Sequence, residues 1–181
     1  MKISLHKIIV VGLLISHLII AGQGSAGAKF LQINATTRGS ANGGALVARP
    51  GLIDALSYNP ATAATLTGSN YVIHHSNYFV DMSFDYMSFT YNVPAIGTFS
   101  VGLLGLLSGD IEETTELQPL GTGRTFTAND FAGFLSFARS MTDKFSGGGT
   151  IKYVMQNIDK LTASGIAFDM GAIYNVGLFY D

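Results

Sequence analysis

His74 and His75 are the only adjacent imidazole pair in the sequence, and imidazole is a common metal ligand. On a strand, neighbouring side chains point to opposite faces, so these two cannot close on one ion. Asp110, Glu112, Glu113 and Glu116 crowd a polar stretch with the oxygen chemistry of a divalent-cation loop, but such a run is ordinarily a solvated loop. Asp130 and Asp169 fall on non-adjacent strands in the pattern below, which leaves no acid–base dyad. Neither a G-x-S-x-G nor a Walker glycine–lysine loop is present. Ser108-Gly109-Asp110 reads as a strand exit rather than a nucleophile. Gly121-Thr122-Gly123 is a weak phosphate signal, and the glycines of Ser146-Gly147-Gly148-Gly149 ease curvature or close packing within a strand. No catalytic residue, metal ligand set or cofactor site is expected, so the chain reads as non-enzymatic.

Two other features suggest fastening rather than chemistry. Asn59-Pro60-Ala61 has the form of a helix start, with Asn59 as cap and Pro60 as first residue. The same triplet is placed to gate or anchor the segment that carries it. Arg38 and Asp54 stand alone in a charge-poor stretch and are expected to pair and pin that segment.

Composition narrows the class. Charged residues make up 12% of the 181, against about 25% in ordinary soluble domains. A chain so poor in charge cannot clothe a normal soluble surface. Lys2 and Lys7 aside, 8 basic and 12 acidic residues remain, net −4, which lacks the basic footprint of a nucleic-acid binder. Cysteine is absent, which excludes disulfides, thiolate metal sites and a lipidated N-terminal Cys.

Three regions follow along the chain. Residues 1–28 read as a secretory signal: Lys2, His6 and Lys7, then the apolar run Ile8–Ala21, then Ala26-Gly27-Ala28 as the cleavage pattern, with Gly24-Ser25-Ala26 as a rival. Residues 29–68 are rich in Ala, Gly, Thr and Asn and alternate little. Short helical pieces are expected around Ala28–Ile33, Pro50–Ser57 and from Pro60 through Ala64, forming a compact plug. From Ser69 to Asp181 the pattern is strand and turn, with strands expected at 69–80, 83–93, 98–108, 129–140, 146–158 and 162–174, and the start of a seventh at 175–181. Thr98–Ser108 shows the pattern most clearly. Phe99, Val101, Leu103, Gly105 and Leu107 share one parity; Ser100, Gly102, Leu104, Leu106 and Ser108 share the other. The mid-strand charges Lys152 and Asp169 lie on the less apolar parity and are expected to face a lumen. Apolar-out, polar-in alternation over strands of bilayer length is the dyad pattern of a transmembrane β-barrel. Short turns at 94–97 and 141–144 and a long loop at 109–128 fit its short periplasmic and long external connections. The expected class is all-β: an antiparallel transmembrane barrel, partly present, with a signal helix and a helical plug.

Arg38-Gly39-Ser40-Ala41-Asn42-Gly43-Gly44-Ala45, Asp54-Ala55, Asn59-Pro60-Ala61, Ser108-Gly109-Asp110-Ile111, Gly121-Thr122-Gly123 and Ser164-Gly165-Ile166-Ala167-Phe168-Asp169 together resemble the PorV/PorQ family, relatives of the FadL-type outer-membrane barrels. The resemblance spans roughly residues 29–175. It implies about 14 strands, within the 8–26 range of bacterial barrels, around an N-terminal hatch that includes Arg38, Gly43, Gly44, Asp54, Asn59, Pro60 and Ala61. Six strands and the start of a seventh are present, which suits an N-terminal fragment. The implied location is the bacterial outer membrane, with its lipid as partner. The implied function is transport of hydrophobic small molecules, or a non-enzymatic role in secretion or surface attachment of other proteins.

Overall fold

The computed structural model describes residues 27–176. The expected signal segment up to Ala26, and Gly177–Asp181 of the expected seventh strand, lie outside the described residues. One six-stranded antiparallel sheet dominates: β1 (Ser69–Asn77), β2 (Ser83–Val93), β3 (Gly97–Leu107), β6 (Ala128–Ser140), β7 (Phe145–Ile158) and β8 (Leu161–Tyr174), in the spatial order β1-β2-β3-β6-β7-β8. A two-stranded ribbon, β4 (Ile111–Glu112) with β5 (Thr125–Phe126), stands in the long loop between β3 and β6. The sheet is not closed into a barrel.

Each main strand matches its expected range to within one residue, apart from the end of β1. Alternation continues to Val80, but the strand stops at Asn77. Val80 and Asp81 both adopt left-handed φ, 56° and 54°, and the Met82 amide donates to the Phe79 carbonyl at 3.3 Å. Two successive left-handed residues make the reversal whose twist suits a hairpin. Val-Asp is a poor substitute for the Asn-Gly that usually signals it, so the turn is hidden in the sequence.

Register runs unbroken across all six strands. One row reads Tyr71, Phe89, Val101, Leu135, Ile151, Phe168. The next position along, on the opposite face, reads Asn70, Thr90, Ser100, Ser136, Thr150, Asp169. The apolar row is the exposed one: Tyr71 is 77% accessible and Leu135 61%. The polar row is covered: Thr90 is 0% accessible, Ser100 5%, Ser136 6% and Thr150 7%. Ser136 and Thr150 satisfy each other across strands, with their hydroxyls 2.6 Å apart.

Residues 28–66 cover the polar face. They form 3-10 turns at Lys29–Gln32, Ile53–Ser57 and Pro60–Thr65, and one short helix, α1 (Thr37–Ala41). The 3-10 turns lie where helical pieces were expected, the second beginning at Ile53 rather than Pro50; α1 was not expected, because Thr-Arg-Gly-Ser-Ala has low helix propensity. The Thr36 hydroxyl initiates it by accepting from the Gly39 amide at 3.1 Å. Phe30, Ala35, Leu56, Ala63 and Leu66 then pack on Phe84, Tyr86, Leu104, Ala132, Phe134 and Val154 of the sheet. Tyr86 and Phe134 stack with ring centres 6.2 Å apart.

Gly102 shows how tightly the sheet itself is packed. A Cβ there would overlap the Phe134 ring and the Met87 carbonyl. Gly102→Ala is expected to destabilise by about 1–3 kcal/mol, the usual cost of overpacking. Gly165, whose added Cβ meets nothing within 4 Å, is the matched control. Urea unfolding in detergent checks both: a lowered midpoint for Gly102→Ala and an unmoved one for Gly165→Ala.

Candidate functional site

Asn59-Pro60-Ala61 sits where residues 28–66 meet β7 and β8. Asn59 caps the third 3-10 turn as its sequence suggests: its Oδ1 accepts from the Ala61 amide at 3.0 Å, and Pro60 opens the turn. Its Nδ2 does more. It donates to the Val47 carbonyl at 2.9 Å and to the Ala172 carbonyl of β8 at 3.2 Å. One buried amide thereby joins two parts of the covering segment to the sheet. Thr62, also buried, donates from its hydroxyl to the Asn59 carbonyl at 2.7 Å.

The sheet makes room for this contact with a glycine pair. Gly148 of β7 and Gly171 of β8 are direct partners in register. A Cβ on Gly148 would stand 2.8 Å from the Ala61 nitrogen, and one on Gly171 would overlap Asn59 Oδ1. Gly148 belongs to the run whose glycines suggest close packing; Gly171 gives no local signal, because its role depends on a residue 112 positions earlier.

The other expected residues of the segment divide into two groups. Arg38 Nε and Asp54 Oδ2 lie 3.5 Å apart, with Arg38 the more exposed. An exposed pair of this kind contributes about 0–1 kcal/mol, so it aligns α1 with the second 3-10 turn more than it stabilises them. Tyr58 strengthens the same junction by donating to Asn34 Oδ1 at 2.9 Å and covering Gly39, where a Cβ would overlap its hydroxyl. Burial, and then the nearby Asp54 carboxylate, push the Tyr58 phenol above its usual pKa. Gly43 and Gly44 take φ of 59° and 80° and turn the chain out of α1 toward Val47, whose carbonyl Asn59 bonds.

Lys152 and Asp169 share the covered face and pair with Nζ 2.6 Å from Oδ2. Lys152 borders a cavity of about 160 Å³ between the covering segment and the sheet. Leu31, Leu56 and Phe134 line one part of it, and Ser136, Thr150 and Lys152 another. The site is an amphipathic niche behind a plug-like segment, without a nucleophile and base in contact.

The histidines part as expected. His74 lies on the covered side within 3.1 Å of the Thr37 hydroxyl, and His75 pairs with Asp85 at 2.6 Å on the other. Among the described residues no group of three or more His, Asp or Glu is placed to hold a metal. In the long loop, Arg124 bonds Glu113 at 2.9 Å and also Asp159 of the β7–β8 turn, and its guanidinium holds the Asp159 carboxyl below the usual range. Asp130 and Asp169 stand on β6 and β8 with β7 between them.

No known family model matches the chain, and no curated protein or solved structure matches it significantly.

Asn59→Ala strands the Val47 and Ala172 carbonyls, a loss of about 1–3 kcal/mol. Amide exchange across residues 60–66 is expected to quicken by roughly 5- to 100-fold, read by mass spectrometry. Tyr58 supplies a second check. Its phenol donates while neutral, so its contribution is complete below about pH 10, the ordinary value, and is lost as pH climbs through the raised pKa. Ultraviolet titration of Asp54→Asn should show the Tyr58 midpoint lowered but still above the ordinary value, since burial is the larger cause.

Proposed function

We propose that residues 69–174 are part of the wall of a bacterial outer-membrane β-barrel of PorV/PorQ type, that residues 28–66 plug its lumen, and that the assembly passes hydrophobic solutes. The observation that carries this reading is the inverted sheet, with a continuous apolar row turned outward and a hydroxyl row turned inward. Outward apolar residues from Phe131 to Phe137 on β6 span about 20 Å of strand at ~3.3 Å per residue, comparable with the ~25 Å apolar band of such barrels. Above it runs the row Asn77, Ser83, Leu107, Asn129, Asn157, Thr162, which is mostly polar. Tyr91, Phe99 and Phe137 gather toward the other edge, where aromatic girdles lie.

The covered face suits a lumen. Thr90, Ser100, Ser136 and Thr150 place a row of hydroxyls on it, beneath the covering segment. No helix among the described residues is long and apolar enough to cross a membrane, which leaves strands as the spanning elements of this reading. The open edges of β1 and β8 would be closed by further strands, since unpaired edges are untenable in lipid. The chain acts in this reading without catalysis and without a cofactor.

A second reading, a barrel component for secretion or surface attachment of other proteins, is favoured by one observation. Leu117 and Leu120 in the long loop are 94% and 93% accessible, at the end of the sheet opposite the turns that join β2 to β3 and β6 to β7.

The wall reading predicts that the protein stays with envelopes through high salt and carbonate washes and leaves with detergent. Release into plain buffer would refute it. Val101→Lys, at mid-band, is expected to cost about 2–4 kcal/mol of stability in bilayers and to reduce the inserted fraction. Transport is read separately. Vesicles carrying the protein should take up a fluorescent fatty acid faster than empty ones, and faster still with Asn59→Ala; equal rates would remove transport and leave the wall.

A further inference from the structure

The long loop between β3 and β6 is built more firmly than a solvated connection requires. Beyond the β4–β5 ribbon the ladder continues, with the Glu113 amide donating to the Arg124 carbonyl and the Thr122 amide to the Glu113 carbonyl, each at 2.8 Å. Side chains brace the same rungs. Thr122 donates to Glu113 Oε2 at 3.1 Å, and Arg124 ties Glu113 to Asp159 of the neighbouring turn. At the tip, Thr115 and Gln118 bond each other's backbone at 3.0 and 3.3 Å, and the Gly121 amide donates to the Gln118 carbonyl at 3.2 Å. Pro119 fixes φ between the two leucines.

This frame holds Leu117 and Leu120 almost wholly in solvent. Neither contributes to the core of the sheet. Asp110, Glu112 and Glu116 of the same loop are exposed, while the loop's one cation, Arg124, is already engaged by Glu113 and Asp159. An ordered apolar tip on a loop whose uncompensated charge is negative is repelled by an anionic lipid surface and attracted by a cationic one.

We propose that this tip is a protein-docking knob, with Leu117 and Leu120 entering an apolar cleft on a partner protein whose basic rim meets Asp110, Glu112 and Glu116. The inference rests on the secretion and surface-attachment reading and adds to it the surface used and the chemistry of the partner. Two leucines in a desolvated cleft supply the affinity, and the acids supply orientation and encounter rate.

The absence of cysteine makes the test direct. Leu117→Cys gives a single thiol that carries a benzophenone maleimide, and the labelled protein is irradiated in native envelopes. The expected result is one discrete protein adduct, identified by mass spectrometry, with Lys and Arg flanking its crosslinked peptide. Its yield should fall at least about tenfold with Leu120→Ser or with Glu112→Lys and Glu116→Lys together, a change equivalent to ~1.4 kcal/mol. Raising salt from about 0.05 to 0.5 M should also lower it, as screening requires. An adduct to lipid alone, an adduct within the same chain, no adduct, or a protein adduct indifferent to the charge changes would each overturn the knob. The wider reading is judged by the set of proteins exported with and without this protein. An unchanged set defeats the secretion reading. A set that depends on the protein but ignores Leu117→Ser with Leu120→Ser defeats the knob alone.

Discussion

The whole structure depends on which way one sheet faces. Two adjacent positions on every strand define it: an outward row of Tyr71, Phe89, Val101, Leu135, Ile151 and Phe168, and an inward row of Asn70, Thr90, Ser100, Ser136, Thr150 and Asp169. Removing apolar surface from water is worth about 25 cal/mol per Å², so water favours the opposite orientation. A face of exposed rings marks a surface that something other than bulk water ordinarily covers. The chain is also poor in charge, at 12% of its residues.

Covering the inward face creates its own problem. The segment 28–66 must lie on a face that carries both an apolar cluster and a row of hydroxyls. Its hydrophobic residues gather on Phe84, Tyr86 and Phe134, while its position relative to β7 and β8 is fixed by polar geometry. Asn59 serves as both cap and bolt, and Gly148 with Gly171 brings the backbones close enough for the bond to Ala172. The amphipathic niche beside Lys152 is what remains between a small covering segment and a broad sheet.

Most of this was legible in the sequence, and the failures have physical causes. Strand bounds followed from alternation, because the period of two is a property of each strand by itself. The Asn59 cap and the Arg38–Asp54 pair were readable because a cap is local and isolated charges in an apolar stretch have few partners to choose from. Val80 and Asp81 misled because Val rarely adopts left-handed φ, and the hairpin imposes it there. The helix at Thr37–Ala41 was invisible because its start depends on the Thr36 hydroxyl and its place on Tyr58, not on its own propensity.

By itself the sequence determined where the strands lie, that their two faces differ, and that the N-terminal stretch would fold back as short turns. Each of those rests on neighbours within a few residues. Tertiary structure alone decided that Lys152 reaches Asp169 and that Asn59 lands on a glycine pair more than 80 residues away. Those outcomes depend on which distant surfaces meet, and alternation within one strand carries no record of its partners.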